Sequence, residues 1–213
     1  MVWKNISISN MAENLGNFIS AKTENQDKTN LITYGAEILL GSIVKILLVV
    51  ILSSLLGILK ETFVIVMAAG FFRLLTGGVH ATAYYRCLLL SLVVFLSLGY
   101  LLDVGLYWIV SLNSLYLAPI VLIGLYWVIC YAPVPPDNKP LENDQDFKNR
   151  KIYSILVYSG IIALLYIILN WLTLAMVIGA TWQAFTLTPT GYKVISYYDT
   201  KLTITNAKEV KPI

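Results

Sequence analysis

Between Ile38 and Leu59 the chain carries a single charged residue, Lys45. A bilayer core is crossed by roughly 20 apolar residues, so this run is long enough to span one. Similar runs cover Phe63 to Leu75, Leu88 to Leu102, Leu115 to Tyr131, Ile152 to Leu169 and Trp171 to Leu187. Lipid offers the backbone no hydrogen-bond partner, so unbroken apolar runs of this kind must be helices that bond within themselves. Hydrophobic residues make up 58% of the 213-residue chain and charged residues 13%, where a soluble globular domain carries about 25% charged. The expected fold is therefore all-α, a polytopic membrane helix bundle of about six transmembrane segments. The segment before Gly77 and Gly78 is short and contains Arg73, so it either spans obliquely or is re-entrant. Asp103 to Ser114 is a softer stretch, with Tyr107 and Trp108 suited to an interface.

Met1 to Asn30 is polar and lacks the apolar core of a signal peptide. Its Met11, Leu15, Phe18 and Ile19 recur at helical spacing, which predicts an amphipathic helix lying on the membrane or packing on its own protein. Three regions follow: a cytosolic amphipathic segment 1–30, a membrane-embedded domain 31–192 and a cytosolic tail 193–213. The tail alternates like a strand around Tyr197 to Thr205, and no structure is assigned to it. With the N-terminus in the cytosol and six crossings, all of the fifteen lysines and arginines except Lys45 and Lys60 lie on the cytosolic side. That is the distribution expected of a membrane protein in this orientation. Lys45 either snorkels or faces a protein cavity. The formal charge of +3 is too small to imply a nucleic-acid partner.

Chemistry concentrates in Phe71 to Cys87, which holds Arg73, Gly77, Gly78, the sole histidine His80, Arg86 and Cys87. A thiol nucleophile needs a base or a cation beside it, because free Cys ionises only near pH 8.5. His80 and Cys87 are seven positions apart. On one straight helix they would share a face to within about 20° but sit about 10.5 Å apart along the axis. Pairing therefore requires a bend, and Gly77 and Gly78 can supply it because glycine tolerates positive φ. Backbone N–H groups of the two glycines can also serve as an oxyanion hole. Arg73 and Arg86 can stabilise a thiolate or bind a substrate carboxylate; anchoring at lipid headgroups is the alternative, favoured for Arg86. Both cysteines are expected as free thiols, with Cys130 in core packing. One His and two Cys are too few for a closed zinc site, and no cofactor is expected.

The pattern Arg73-x3-Gly77-Gly78-x-His80-Ala81-x5-Cys87 resembles the signature of the accessory gene regulator B (AgrB) family of Gram-positive bacteria. Two further stretches resemble it: Ala132-Pro133-Val134 with Asn138-Lys139-Pro140, and Leu187-Thr188-Pro189-x-Gly191-Tyr192. The resemblance runs from about Tyr34 to Tyr192. Val79 stands where an aromatic is expected, and the tail after Tyr192 has no counterpart.

The resemblance implies a membrane cysteine endopeptidase that cleaves the C-terminal part of an AgrD-like precursor peptide. The product would be a cyclic thiolactone signal for quorum sensing. By match to the motif, Cys87 is the nucleophile and His80 the general base. Arg73 would position substrate electrostatically, and Gly77 and Gly78 would form the bend. Glu37, Lys45, Arg86 and Lys139 are candidate substrate-binding residues. Partners implied are the precursor, the lipid bilayer and a second copy in a homodimer. The implied place is the plasma membrane of a Gram-positive bacterium, with termini and active site cytosolic. The alternative is a non-catalytic membrane peptide exporter, which would line several spans with polar residues.

Overall fold

The computed structural model describes residues 8–23, 29–78, 84–106, 117–134, 144–168 and 170–209. Among them are eight α-helices: α1 (Ile8–Thr23), α2 (Thr29–Leu55), α3 (Leu59–Thr76), α4 (Tyr84–Leu101), α5 (Ala118–Tyr131), α6 (Asp144–Ile167), α7 (Trp171–Thr186) and α8 (Pro189–Glu209). A π-helical turn, Leu102–Leu106, extends α4. Each apolar run of the sequence falls on one of α2 to α7, as an all-α polytopic bundle requires. Three helical stretches are long and apolar enough to cross a bilayer, Ile32–Leu55, Tyr85–Gly105 and Gln145–Ile167. The pair α7 and α8, bent by 78°, makes a fourth if taken as one broken span. Helix α3 is 18 residues long and holds Lys60, Glu61 and Arg73, and α5 has only 14 residues.

The chain divides into two compact units, Met1–Ile51 and Leu52–Ile213. In the first, α1 packs on α2 through its small residues. Ala12, Gly16 and Ser20 recur every fourth position and are buried. A Cβ at Gly16 would collide with Thr33. The large apolar residues face the other way: Met11, Leu15 and Phe18 are 49%, 41% and 58% exposed. The helix is thus amphipathic as its spacing predicts, with a small-residue face that is buried and an apolar stripe that is exposed. The small face packs on protein and leaves the apolar stripe uncovered in this unit.

In the second unit, α2 closes where Gly57 adopts φ +75°. The Ile58 N–H donates to the Ser53 carbonyl and the Gly57 N–H to that of Ser54. This double bond is the Schellman arrangement, which satisfies the last carbonyls of a helix and needs a left-handed residue. It ends α2 four residues before the limit of the apolar run at Leu59. The centre of the unit is the pairing of α3 with α7. Gly179 lets the two backbones meet, since a Cβ there would strike the Ile65 carbonyl oxygen. Ala175, Ala180 and Ala184 are fully buried on the same helix. Small residues are what allow close helix approach in lipid, where the hydrophobic effect does not drive association. Gly179 sits by Ile65 and Ala69, and Gln183, one turn on, reaches Arg73 and Gly77. The two helices therefore run parallel and end together.

Helix α7 starts at a capping box. The Thr173 N–H donates to Asn170 Oδ1 at 2.9 Å, and the Asn170 N–H to Thr173 Oγ1 at 3.3 Å. Reciprocal bonds of this kind satisfy helix-start donors that otherwise lack partners. Helix α8 starts with a one-sided cap. Thr188 Oγ1 accepts from the Gly191 N–H at 2.9 Å, and Pro189 occupies the first helical position, where its missing N–H is no loss. A Cβ at Gly191 would meet the Phe185 carbonyl oxygen. The Thr-Pro-x-Gly sequence thus encodes a tight turn between two helices.

The tail from Lys193 to Glu209 is helical. Its strand-like alternation gives way to a helix nucleated by the Thr188 cap.

Candidate functional site

Three separated stretches of sequence meet at one end of the second unit. Helix α3 ends at Thr76, and Gly77 turns the chain with φ +69°, its N–H bonded to the Arg73 carbonyl at 2.8 Å. Gly78 follows with φ +130°. The end of α5 arrives alongside: the Val134 N–H donates to the Thr76 carbonyl at 2.8 Å, and Gly77 and Val134 form an isolated parallel bridge. The space for this comes from Gly77, because a Cβ there would fall on the Val134 carbonyl oxygen. The end of α7 supplies the third side. A Cβ at Gly78 would lie 3.0 Å from Gln183 Nε2 and 3.2 Å from Thr186 Oγ1. Phe72, Val128, Ala132, Tyr158, Ala180, Ala184 and Leu187 form the core beneath. Tyr158 ties α6 into it by a 2.8 Å hydrogen bond with Thr181.

Helix C-termini carry partial negative charge, and here α3 and α7 end together beside the end of α5. Arg73, in the last turn of α3, answers that charge. Its Nη2 donates to the Gly78 carbonyl at 3.2 Å and its Nη1 lies 3.4 Å from Gln183 Oε1. The guanidinium also interacts electrostatically with Cys87. Cys87 is half-buried in the first turn of α4 and is a free thiol. The structure therefore brings Arg73, Gly77 and Gly78 together with Gln183, while Cys87 opens the next described helix within electrostatic reach of the guanidinium. His80 and Lys139 lie outside the described residues. Glu37 and Lys45 are half-buried on α2, in the first unit.

Two side chains stand differently from expectation. Arg86 is taken up in an ion pair within the protein. Its Nη1 contacts Asp199 Oδ1 at 2.7 Å and the Asp199 carbonyl at 3.0 Å, and both side chains are 11% exposed. Cys130 is exposed rather than packed in the core, because it lies on the outward face of α5, opposite buried Val121, Gly124 and Val128.

Gln183 and Asp199 are the residues that sequence reasoning passed over. Gln183 is 2% exposed, and its amide donates to the Gly77 carbonyl at 2.6 Å and to Thr76 Oγ1 at 3.3 Å. A carboxamide inside an apolar run was its signal, since a buried polar group is costly unless it is bonded. A groove between α3, α6 and α7, lined by Phe63, Met67, Phe71, Val157 and Met176 among others, is apolar and offers no catalytic group.

An all-helical membrane protein with a thiol, a fixed cation and a glycine turn at one end of its bundle is the class these features define. The family model of accessory gene regulator B matches residues 9–187, and the chain belongs to that family. An AgrB-like protein of Clostridium perfringens strain SM101 is 27% identical, covering 90% of this chain and all of the relative. The accessory gene regulator protein B of Staphylococcus aureus is 27% identical over 73% of this chain and 80% of its own length. An AgrB-like protein of Listeria welshimeri is 29% identical over 77% of this chain and 78% of its own. No solved structure matches the chain. The family places the chain in quorum sensing, and its membrane character agrees with the helices described above.

Proposed function

We propose that the chain is a membrane cysteine endopeptidase that cuts the C-terminal part of an AgrD-like precursor and closes it into a thiolactone. The observation that carries this reading is a turn of two glycines with positive φ at which Arg73 is held by the Gly78 carbonyl and Gln183, with Cys87 opening the next helix. Cys87 attacks the scissile carbonyl, His80 takes the thiol proton and later gives a proton to the leaving amine, and a thioester acyl-enzyme results. A cysteine of the precursor then attacks that thioester, forming the ring and freeing Cys87. One thioester replaces another, so the exchange is nearly balanced in energy. An ester on serine would make the same step uphill, which is a physical reason for a cysteine here.

Arg73 supplies a cation beside the reacting thiol that the Gly78 carbonyl and Gln183 hold in place. The enzyme acts as a homodimer in the plasma membrane of a Gram-positive cell, with the site on the cytosolic face, where thiols stay reduced. Co-expression with an AgrD-like precursor tests the reading. Cys87→Ala and His80→Ala should each abolish cleavage, by at least about 10³-fold for loss of a nucleophile or its base. Cys87→Ser should yield no thiolactone. Cleavage by the Cys87→Ala chain would remove the assignment.

A further inference from the structure

Helix α6 is long and apolar enough to cross a bilayer, and its Tyr158 bonds Thr181 on α7. The two residues stand at nearly equal distances from the short connection between the helices, so α7 runs back antiparallel to α6 through the same depth. Between Thr186 and Pro189 the chain then bends by 78° into α8. The stretch Pro189–Lys201 is about 20 Å long at 1.5 Å per residue, and at that bend it advances only about 4 Å along the axis of α7. Its length therefore runs across the end of α7, along the membrane surface. This is the end of the bundle that holds the glycine turn.

Successive helical residues turn by 100°, so Gly191 and Asp199 fall within about 40° of Ile195. All three are buried, so this sector faces protein, and Asp199 there holds Arg86. Two exposed flanks remain. Val194, Tyr197 and Lys201 lie at about 200–260° from Ile195, and Lys193, Ser196 and Thr200 at about 100–160°, with Tyr192 at the near edge of the second flank. All seven are exposed. The first flank mixes apolar and aromatic surface with a cation, and Lys201 Nζ lies 5.6 Å from the centre of the Tyr197 ring. The second is mainly hydroxyl and ammonium. A helix that lies along a bilayer with protein on one side turns one flank to lipid and the other to water. Tyrosine sits at the level of the headgroups, and a lysine beside it carries its ammonium to the phosphates. Neither side chain suits the acyl core.

We propose that the Val194–Tyr197–Lys201 flank of α8 is a docking surface for the headgroups of anionic phospholipids. Docked there, α8 ties Cys87 to the headgroup level, because Asp199 on its protein side grips Arg86, the residue before Cys87. The inference goes beyond the peptidase reading and stands without it.

The test uses the full chain with Cys87→Ser and Cys130→Ser, in nanodiscs of phosphatidylcholine and phosphatidylglycerol. Val194→Cys or Thr200→Cys carries a fluorophore. A nitroxide on the lipid headgroup reports contact with lipid, and acrylamide reports contact with water. The Val194 probe should be quenched mainly by the nitroxide and the Thr200 probe mainly by acrylamide. At Val194, nitroxide carried on phosphatidylglycerol should quench more strongly than nitroxide carried on phosphatidylcholine, by up to about fivefold, the contribution of one lysine at an anionic surface. Lys201→Gln should remove that preference and leave the contact with lipid. Equal quenching of the two probes by lipid would overturn the proposal, as would a preference that is absent or that survives Lys201→Gln. A Val194 probe shielded from lipid and acrylamide alike would also overturn it, by assigning the flank to a second copy of the chain.

Discussion

At Gly77 two demands coincide on one residue. The backbone has φ +69° and ψ −142°, a conformation that L side chains rarely adopt, and the position of a Cβ is taken by the Val134 carbonyl oxygen. Gly77→Ala should therefore cost about 1–3 kcal/mol in backbone strain alone, and the clash would push the end of α5 off the turn. Gly57 is the control. It has φ +75° with nothing within 4 Å of its Cβ site, so Gly57→Ala carries backbone strain without a collision. Thermal unfolding in detergent should rank Gly77→Ala well below Gly57→Ala. Precursor cleavage should fail in the first and persist in the second. Equal midpoints would mean that the approach of Val134 does not matter to the fold.

Among the helices, α8 shows what pattern reading can and cannot reach. Apolar runs announce α2 to α7 because lipid leaves the backbone no other solution. Thr188, Pro189 and Gly191 were visible as a motif but not as a cap, since a cap is defined by which N–H the threonine meets. The alternation from Tyr197 to Thr205 points to a strand only if the local pattern decides, and here the cap and the ion pair decide. Arg86 and Asp199 are 113 positions apart, so nothing local could link them. Gln183 likewise gains meaning only from Arg73 and Gly77, far away in sequence. The glycine pair, by contrast, was legible because positive φ is a property of the residue itself.

The ion pair makes α8 part of the site's frame: Arg86 directly precedes Cys87, and Asp199 holds it. Arg86→Asp and Asp199→Arg should each raise protease sensitivity of the tail and reduce cleavage activity. The double exchange should recover both. Failure of the double variant to improve on either single would show that the pair is not what fixes α8.

For the whole molecule, three helix ends converge and one side of the membrane must receive them. Gly77, Val134 and Leu187 lie together in the second unit, so the loop after Val134 and the tail leave from the same end as Cys87. That loop, the first turns of α6 and the tail carry Lys139, Lys148, Arg150, Lys151, Lys193 and Lys201, and basic segments of this kind are favoured on the cytosolic side. The α2–α3 turn at Gly57 lies at the start of α3, the opposite end of that helix, and beside it is Lys60 alone. The parallel course of α3 and α7 puts these segments at one end of the bundle, and the charge count makes that end the cytosolic one in the reading proposed above. Single cysteines placed in a Cys87→Ser, Cys130→Ser chain test it. Gly57→Cys should react with a membrane-impermeant maleimide in intact cells stripped of their wall. Asn138→Cys and Lys201→Cys should react only in inverted vesicles. Labelling of Asn138→Cys and Gly57→Cys from the same side would break the link between the converging helix ends and a cytosolic site.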